Sequence, residues 1–178
     1  MASISSRRLA KELRDLQTNG TPTGIELIAA DNWQSWVMGI EVLGDTLYAG
    51  EKFALLFRFE SQYPISSPIV TFIPNYRPPV GNPSSFSPQA VYGVPMHPHV
   101  YSNGHICASI LGSDWSPVLT VATVCITLQS MLASCKKKER PVDNDRYVLT
   151  APDNPKKASH PDAFPTLTLT FFPDSIPL

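Results

Sequence analysis

The chain has 178 residues and a mass of 19.6 kDa, the size of one domain that can bury a hydrophobic core without disulfides or metals. With 43% apolar residues, 16% charged residues and a formal net charge of -1, it lacks the basic excess of nucleic-acid-coating proteins. No apolar run approaches the roughly 18 residues of a membrane span, the N-terminus does not resemble a secretory signal, and an odd cysteine count, three, favours a reducing compartment.

The first predicted element is an amphipathic helix over residues 5–18. Leucines at helical spacing form one face, and basic residues at the same spacing form the opposite face. The leucines are Leu9, Leu13 and Leu16, and the basic residues are Arg7, Lys11 and Arg14.

Four strands are predicted next, over residues 24–30, 36–42, 53–59 and 69–73. The third has the clearest pattern, because an apolar residue stands at every second position from Phe53 to Phe59. The connections are too short to hold crossover helices, which favours an antiparallel meander over a parallel sheet.

Proline divides the rest of the chain. Nine of the 18 prolines lie between Pro64 and Pro98, and residues 74–96 read as a long loop, which is usually functional or disordered. We expect this loop to be mobile or irregular and to border the functional site, because it leads directly into His97. A second helix is predicted over 121–134, and alternation over 166–172 predicts an edge strand.

The segment from His97 to Cys107 concentrates three of the four histidines and one of the three cysteines. One interpretation is a metal site, although the spacing matches no common zinc pattern and Pro98 hinders chelation by its neighbours. A second is a surface loop with a cysteine buried as a small apolar residue. A third is a nucleophilic cysteine flanked by groups that hydrogen-bond an oxyanion.

Four motifs support the third interpretation, because together they resemble the ubiquitin-conjugating enzymes (E2), most closely the W-type, which attaches ubiquitin to protein N-termini. The resemblance runs from about Ser3 to about Lys157. The motifs are the basic opening helix, Tyr63-Pro64-Ile-Ser-Ser-Pro68, the His97-Pro98 to Ile106-Cys107 segment, and the loop from Leu111 to Trp115-Ser116-Pro117.

The resemblance implies an α+β fold with an N-terminal helix, a four-stranded antiparallel meander, an active-site loop and a central helix. It implies a conjugating domain over 1–157 with an insertion at about 74–96, and a tail over 158–178. Cys107 would receive ubiquitin from an E1 enzyme, which uses the ATP, and pass it to an amine of a protein substrate with a RING or U-box E3 ligase. No cofactor, metal, nucleic acid or membrane is implied, and the expected location is the cytoplasm and nucleus.

The resemblance also assigns site residues. The active-site loop would be shaped by His97, Pro98, Asn103 and Gly104, and the E3 would bind Ile65, Trp115, Ser116, Pro117 and Val118. The E1 would bind Arg7, Arg8 and Lys11, and the bound ubiquitin would be supported by Leu119 and Ile126. Glu139 stands where many E2s have an acid that activates lysine. Simpler roles stay open: a packed aromatic at Trp115, a helix start at Pro117, solvated surface for the basic residues, and core positions for Leu119 and Ile126.

His99 departs from the family, which usually has Asn at this place. A neutral imidazole keeps one N–H donor, so His99 either stabilises the oxyanion or only supports the loop. A lysine amine is neutral in about 0.04% of molecules at pH 7, but an α-amine in about 14%, so an N-terminal acceptor needs less help in losing its proton.

Cys125 and Cys135 lie on or after the second helix and are predicted to be structural. The alternative function is a catalytically weak E2-like module that binds ubiquitin or E3s.

Overall fold

The computed structural model describes residues 3–81 and 84–158, and the predicted strand over 166–172 lies outside these ranges. The elements follow one another as α1 (Ile4–Asn19), β1 (Ile25–Asn32), β2 (Ser35–Glu41), β3 (Lys52–Arg58), β4 (Ile69–Phe72), α2 (Val121–Ala133) and α3 (Asn144–Thr150), with single 3₁₀ turns at Ser109–Leu111 and Pro155–Lys157. No pattern in the sequence predicted α3.

The strands form one antiparallel sheet in the order β1-β2-β3-β4, which confirms the predicted meander. The register places Trp36 opposite Phe57 and Leu55 opposite Phe72. Because these residues share one face of the pleat, the alternation seen in the third strand becomes a continuous apolar surface.

α2 packs across that apolar surface against β1 and β2, and α1 joins the same core. α1 contributes Leu9 and Leu16 to the core, and α2 contributes Val124, Leu128 and Leu132. Val124, Leu128 and Leu132 stand four residues apart and Leu9 and Leu16 seven apart, so the buried residues of each helix lie along one stripe. The predicted packing of the central helix across the sheet is therefore confirmed.

The opposite face of the sheet is covered by the 74–96 segment. Over its described residues this segment has no helix or strand, only an isolated bridge between Tyr76 and Tyr92. Its Phe86 side chain is 2% exposed and packs with Ile28 and Ala54. A Cβ at Gly39 would lie 2.4 Å from the Phe86 ring, so glycine in β2 makes the space that the ring fills.

A buried carboxylate joins α1 to the rest of the fold. Glu12 is 5% exposed and accepts hydrogen bonds from Arg8 Nε (2.5 Å), the Tyr63 hydroxyl (2.5 Å) and the Val121 N–H (2.8 Å). Val121 is the first residue of α2, where unpaired N–H groups favour a negative charge. One side chain therefore links α1, the turn after β3 and the start of α2.

Arg8 extends the same network. Its Nη1 and Nη2 atoms donate to the carbonyls of Pro117 and Leu119, each at 2.6 Å. Arg7 and Lys11 are exposed, whereas Arg8 is half-buried. The three basic residues that the sequence analysis grouped together thus have different surroundings, and Arg8 has a structural role that spacing alone did not indicate.

We expect Arg8→Ala to lower the free energy of unfolding by about 2 kcal/mol, because it leaves a buried carboxylate without its cation and two carbonyls without donors. Urea unfolding followed by tryptophan fluorescence measures the change. Arg7→Ala is the matched control, and its expected change is within about 0.5 kcal/mol, as for other exposed substitutions. Equal losses in the two variants would contradict the assignment.

Candidate active site

The segment from His97 to Cys107 folds into a compact turn beside the end of the sheet. The Tyr101 N–H donates to the His105 carbonyl, and the Gly104 N–H donates to the Tyr101 carbonyl, both at 2.9 Å. The Phe72 N–H donates to the Gly104 carbonyl at 2.9 Å, so the turn is attached to the last residue of β4. The resulting loop is tied to the sheet through the main chain.

Gly104 and Asn103 have clear roles in this turn. Gly104 has a φ of +92°, and a Cβ there would lie 2.0 Å from the Phe72 carbonyl oxygen. Both the backbone conformation and the close approach therefore require glycine. The Asn103 side-chain oxygen accepts from the His105 N–H at 3.1 Å, a local bond typical of asparagine in turns.

Cys107 follows the turn and is half-buried. Its N–H donates to the His99 carbonyl at 2.9 Å, so the position of the thiol depends on the main chain at His99. Burial and the negative charge of Asp143 raise the pKa of the Cys107 thiol. The thiol is therefore mainly protonated at neutral pH, and the site does not pre-form a thiolate.

His97 holds the first part of the turn. It is 4% exposed, its Nδ1 accepts from the His99 N–H at 3.0 Å, and its ring hydrogen-bonds the Met131 main chain in α2. Burial and the neighbouring His99 lower the pKa of His97 to about 4. His97 is therefore a neutral imidazole that positions the backbone, with half-buried Pro98 between the two histidines.

The described residues contain no group of three or more His, Cys, Asp or Glu side chains placed to hold a metal ion. The Nδ1 atom of His97 accepts from the His99 N–H, and the ring also contacts the Met131 main chain. The Nδ1 atom of His105 contacts the Tyr147 hydroxyl at 3.0 Å. These contacts give the clustered histidines structural partners within the protein.

The acidic residue near the thiol is Asp143, which the sequence analysis did not single out. Asp143 lies just before α3 and accepts from the Tyr101 hydroxyl at 3.2 Å. Glu139, the residue considered from the sequence, is exposed and pairs with Lys137 at 2.6 Å. The sequence carried one signal for Asp143, because an acidic residue is favoured at the start of a helix.

The two loops assigned to E3 binding meet at one end of the molecule. Trp115 Nε1 donates to the Pro64 carbonyl at 2.9 Å, which places Ile65 beside the Trp115–Val118 loop. Ile65 is 67% exposed and Val118 is 80% exposed; Pro117 is exposed and Ser116 is half-buried. Trp115 thus connects the loops, while two aliphatic side chains project into solvent.

The remaining assigned residues lie on or next to α2. Ile126 is 42% exposed on the helix, and Leu119 is half-buried before it. Cys125 is fully buried, and burial strongly raises the pKa of its thiol. The Cys135 thiol, just past the helix, donates to the Lys137 carbonyl at 3.2 Å. Cys107 is therefore the one cysteine of the three that lies in the polar loop.

These features agree with comparisons to known proteins. A sequence model of the family described as "Ubiquitin-conjugating enzyme" matches residues 8–162. The chain belongs to the ubiquitin-conjugating enzyme family. It is thus an E2 enzyme, a class of transferase that carries ubiquitin as a thioester.

Its relatives include W-type E2 enzymes. The chain is 46% identical over 160 residues to a probable ubiquitin-conjugating enzyme E2 W-A of Danio rerio, covering 88% of this chain and 93% of that protein. It is 40% identical to the ubiquitin-conjugating enzyme E2 W of Caenorhabditis elegans, with the same coverage. The crystal structure of the E2 enzyme UbcA1 from Agrocybe aegerita matches with a TM-score of 0.76 and 60% identity, covering 86% of this chain and 99% of that one.

No helix in the described part of the chain has the length and apolar character needed to cross a membrane.

The stability of this E2 should depend on pH through His97. Because the pKa of His97 is about 4 in the folded protein and ~6.5 when unfolded, the unfolded chain binds the extra proton between these values. His97 therefore gives its full contribution above pH ~6.5, and we expect a loss of about 3 kcal/mol as the pH falls to ~4.

Urea unfolding at a series of pH values measures this dependence. His97→Asn is the matched variant, because its side-chain oxygen still accepts from the His99 N–H but does not titrate. We expect the variant to be less stable at neutral pH and to lose less stability on acidification. An unchanged pH dependence would assign the effect to other groups.

Proposed function

We propose that Cys107 is the residue that carries ubiquitin. The supporting observation is its placement: it is half-buried in the polar loop with its N–H held by the His99 carbonyl, whereas Cys125 is fully buried. In charging, the Cys107 sulfur attacks the thioester between the E1 cysteine and the ubiquitin C-terminus. A new C–S bond forms between Cys107 and the ubiquitin carbonyl carbon, the bond to the E1 sulfur breaks, and the proton lost by the Cys107 thiol passes to the departing E1 sulfur.

Transfer then requires an amine. The amine nitrogen attacks the thioester carbonyl carbon, the C–N bond forms, the C–S bond breaks, and Cys107 leaves as the thiolate while the amine proton passes to it or to solvent. Because the pKa of the Cys107 thiol is raised by burial and by Asp143, the thiolate is a relatively poor leaving group. This property favours retention of ubiquitin until an amine is presented.

The acceptor is, on our proposal, the N-terminal α-amino group of a protein. The ring of His97 is fixed as a neutral positioning group, and His99 stands where the family usually has Asn. An amine that is already partly neutral needs less help from the site in losing its proton, and an α-amine of pKa ~7.8 meets this condition far better than lysine of pKa ~10.4.

The proposed binding surfaces for the E3 and the E1 are defined by their exposed side chains. Ile65 and Val118 form the aliphatic end that we assign to a RING or U-box E3, and exposed Arg7 and Lys11 form the basic face that we assign to the E1. Ile126 and Leu119 support the donor ubiquitin. The active thiol requires a reducing compartment, so we place the protein in the cytoplasm and nucleus.

Cys107→Ser should abolish a thiol-sensitive ubiquitin adduct formed with E1, ATP and ubiquitin, because oxygen replaces the sulfur that forms the thioester. Cys125→Ser and Cys135→Ser are the controls and should retain it. Non-reducing gels, with and without thiol, measure the adduct. Absence of an adduct on the wild-type protein, with binding to ubiquitin or an E3 intact, would instead support the non-catalytic binding module.

Single-turnover discharge should favour α-amines at pH 7. The ubiquitin-loaded protein is mixed with free lysine blocked at its α-amine, or with a lysine-less peptide whose N-terminus is free, and loss of the thioester is followed over time. We expect faster discharge onto the peptide, and a smaller preference near pH 9, because deprotonation of the α-amine saturates while that of lysine continues.

The N-acetylated form of the same peptide is the control and should accept nothing. His99→Asn should raise discharge onto lysine if the missing amide limits that reaction. Faster discharge onto lysine than onto the peptide at pH 7 would exclude the N-terminal assignment while leaving the thioester at Cys107 intact.

A further inference from the structure

The peptide carbonyls that lead into the active-site turn are bound by side chains from distant parts of the chain. Arg140, after α2, donates from Nη2 to the Val94 carbonyl at 3.1 Å and from Nη1 to the Pro95 carbonyl at 2.6 Å. The buried Tyr48, between β2 and β3, donates to the Met96 carbonyl. Residues 94–96, the entry segment, therefore have all three carbonyls occupied before the chain reaches His97.

Arg140 also binds the other end of the turn. Its Nη1 atom donates to the Val100 carbonyl at 3.1 Å, so one guanidinium bridges the residues before His97 and the residue after His99. The Val100 N–H in turn donates to the His97 carbonyl at 2.9 Å. A planar guanidinium with several donors in fixed directions suits this bridging, whereas an ammonium group acts as a point charge.

This bridge bears directly on the thiol. The His99 carbonyl accepts from the Cys107 N–H, so a shift of the 97–100 turn would move Cys107 and His99 relative to each other. The entry segment also ends the long irregular loop over 74–96, in which Val80 is 89% exposed. The hydrogen bonds from Arg140 and Tyr48 therefore lie between that loop and His97.

We propose that Arg140 is a positioning residue for ubiquitin transfer, holding the His97–Val100 turn in the geometry that aligns His99 with the Cys107 thioester. This inference rests on the proposed role of Cys107. Arg140 does not touch the reacting atoms and acts through the backbone of the turn. Transfer to an amine should be more sensitive than charging, because the amine is a weaker nucleophile than a thiolate and depends more on a stabilised oxyanion.

The test compares Arg140→Ala and Arg140→Lys with Arg146→Ala, an exposed arginine in α3 that serves as the matched control. Each protein is charged to completion, and single-turnover discharge onto the lysine-less peptide is measured over a range of peptide concentrations. We expect Arg140→Ala to lower the maximal discharge rate at least about tenfold, because small misplacements of reacting groups are costly. The peptide concentration at half-maximal rate should change less than about twofold.

The maximal discharge rate of Arg140→Lys should fall between the rates of the wild type and of Arg140→Ala, because one ammonium group cannot bridge the carbonyls of Val94, Pro95 and Val100. Hydrogen exchange at the Cys107 amide reports whether its hydrogen bond to the His99 carbonyl is kept. Without denaturant, where the fold is intact, the protection of this amide should be lower in Arg140→Ala than in the wild type. Arg146→Ala should behave as the wild type in both measurements.

A wild-type discharge rate in Arg140→Ala would overturn the proposal. The proposal would also fail if charging and discharge fell by the same fraction and that fraction equalled the share of unfolded protein. If Arg140→Ala does not fold, Tyr48→Phe replaces it, because this variant removes the neighbouring donor to the Met96 carbonyl. It should lower the discharge rate by a smaller factor and leave charging intact. An unchanged discharge rate in Tyr48→Phe would also count against the role of the entry segment. Failure of the wild-type protein to form a thioester would refute the role of Cys107 instead.

Discussion

The Glu12 carboxylate, in α1, collects donors from three separate regions of the chain. A buried carboxylate without partners would be costly, and removing a single partner leaves an uncompensated charge in the interior. The relative positions of α1, the turn after β3 and the start of α2 are therefore interdependent. Arg8 extends this constraint to the Pro117 and Leu119 carbonyls, so the loop assigned to E3 binding is supported directly by the helix assigned to E1 binding.

The active-site turn is fixed at the other end of α2 by a different set of contacts. β4 supplies the Phe72 main chain, α2 supplies the Met131 main chain, and the segment after α2 supplies Arg140. The turn itself contains no regular element, and its position comes from hydrogen bonds to rigid neighbours. This arrangement is common for functional loops, which need accurate placement without a secondary structure of their own.

Burial controls the electrostatics of Cys107 and His97. Burial raises the pKa of the Cys107 thiol and lowers that of His97, so at neutral pH Cys107 is a thiol and His97 a neutral imidazole. Charging and discharge then depend on activated acyl groups and on the protonation state of the incoming amine. An acceptor with a low pKa benefits most from such a site, which is the physical basis of the proposed preference for N-termini.

The composition of the 74–96 segment predicts its irregular backbone but not its packing. Its prolines and small polar residues correctly indicate irregular backbone over the described part, but they do not show where the segment packs. Phe86 covers the outer face of the sheet, and Gly39 leaves room for its ring. A lone phenylalanine in a polar loop has no periodic pattern, so its burial depends on a surface that exists only after the sheet has formed.

The sequence by itself predicted the two long helices and the four strands, but not α3. Alternation from Phe53 to Phe59 and helical spacing in α1 and α2 report which side of each element is apolar, because burial imposes the period of the backbone on the side chains. Local composition left three interpretations of the His97–Cys107 segment open, and the resemblance of four motifs to the ubiquitin-conjugating enzymes selected Cys107 as the candidate thiol. Tertiary structure alone separated Arg8 from Arg7, placed Asp143 rather than Glu139 near the thiol, and brought Arg140 to the active-site turn. These are polar contacts between residues far apart in the chain, and the choice of partner for a buried charge or carbonyl is set by three-dimensional proximity, which leaves no periodic trace in the sequence.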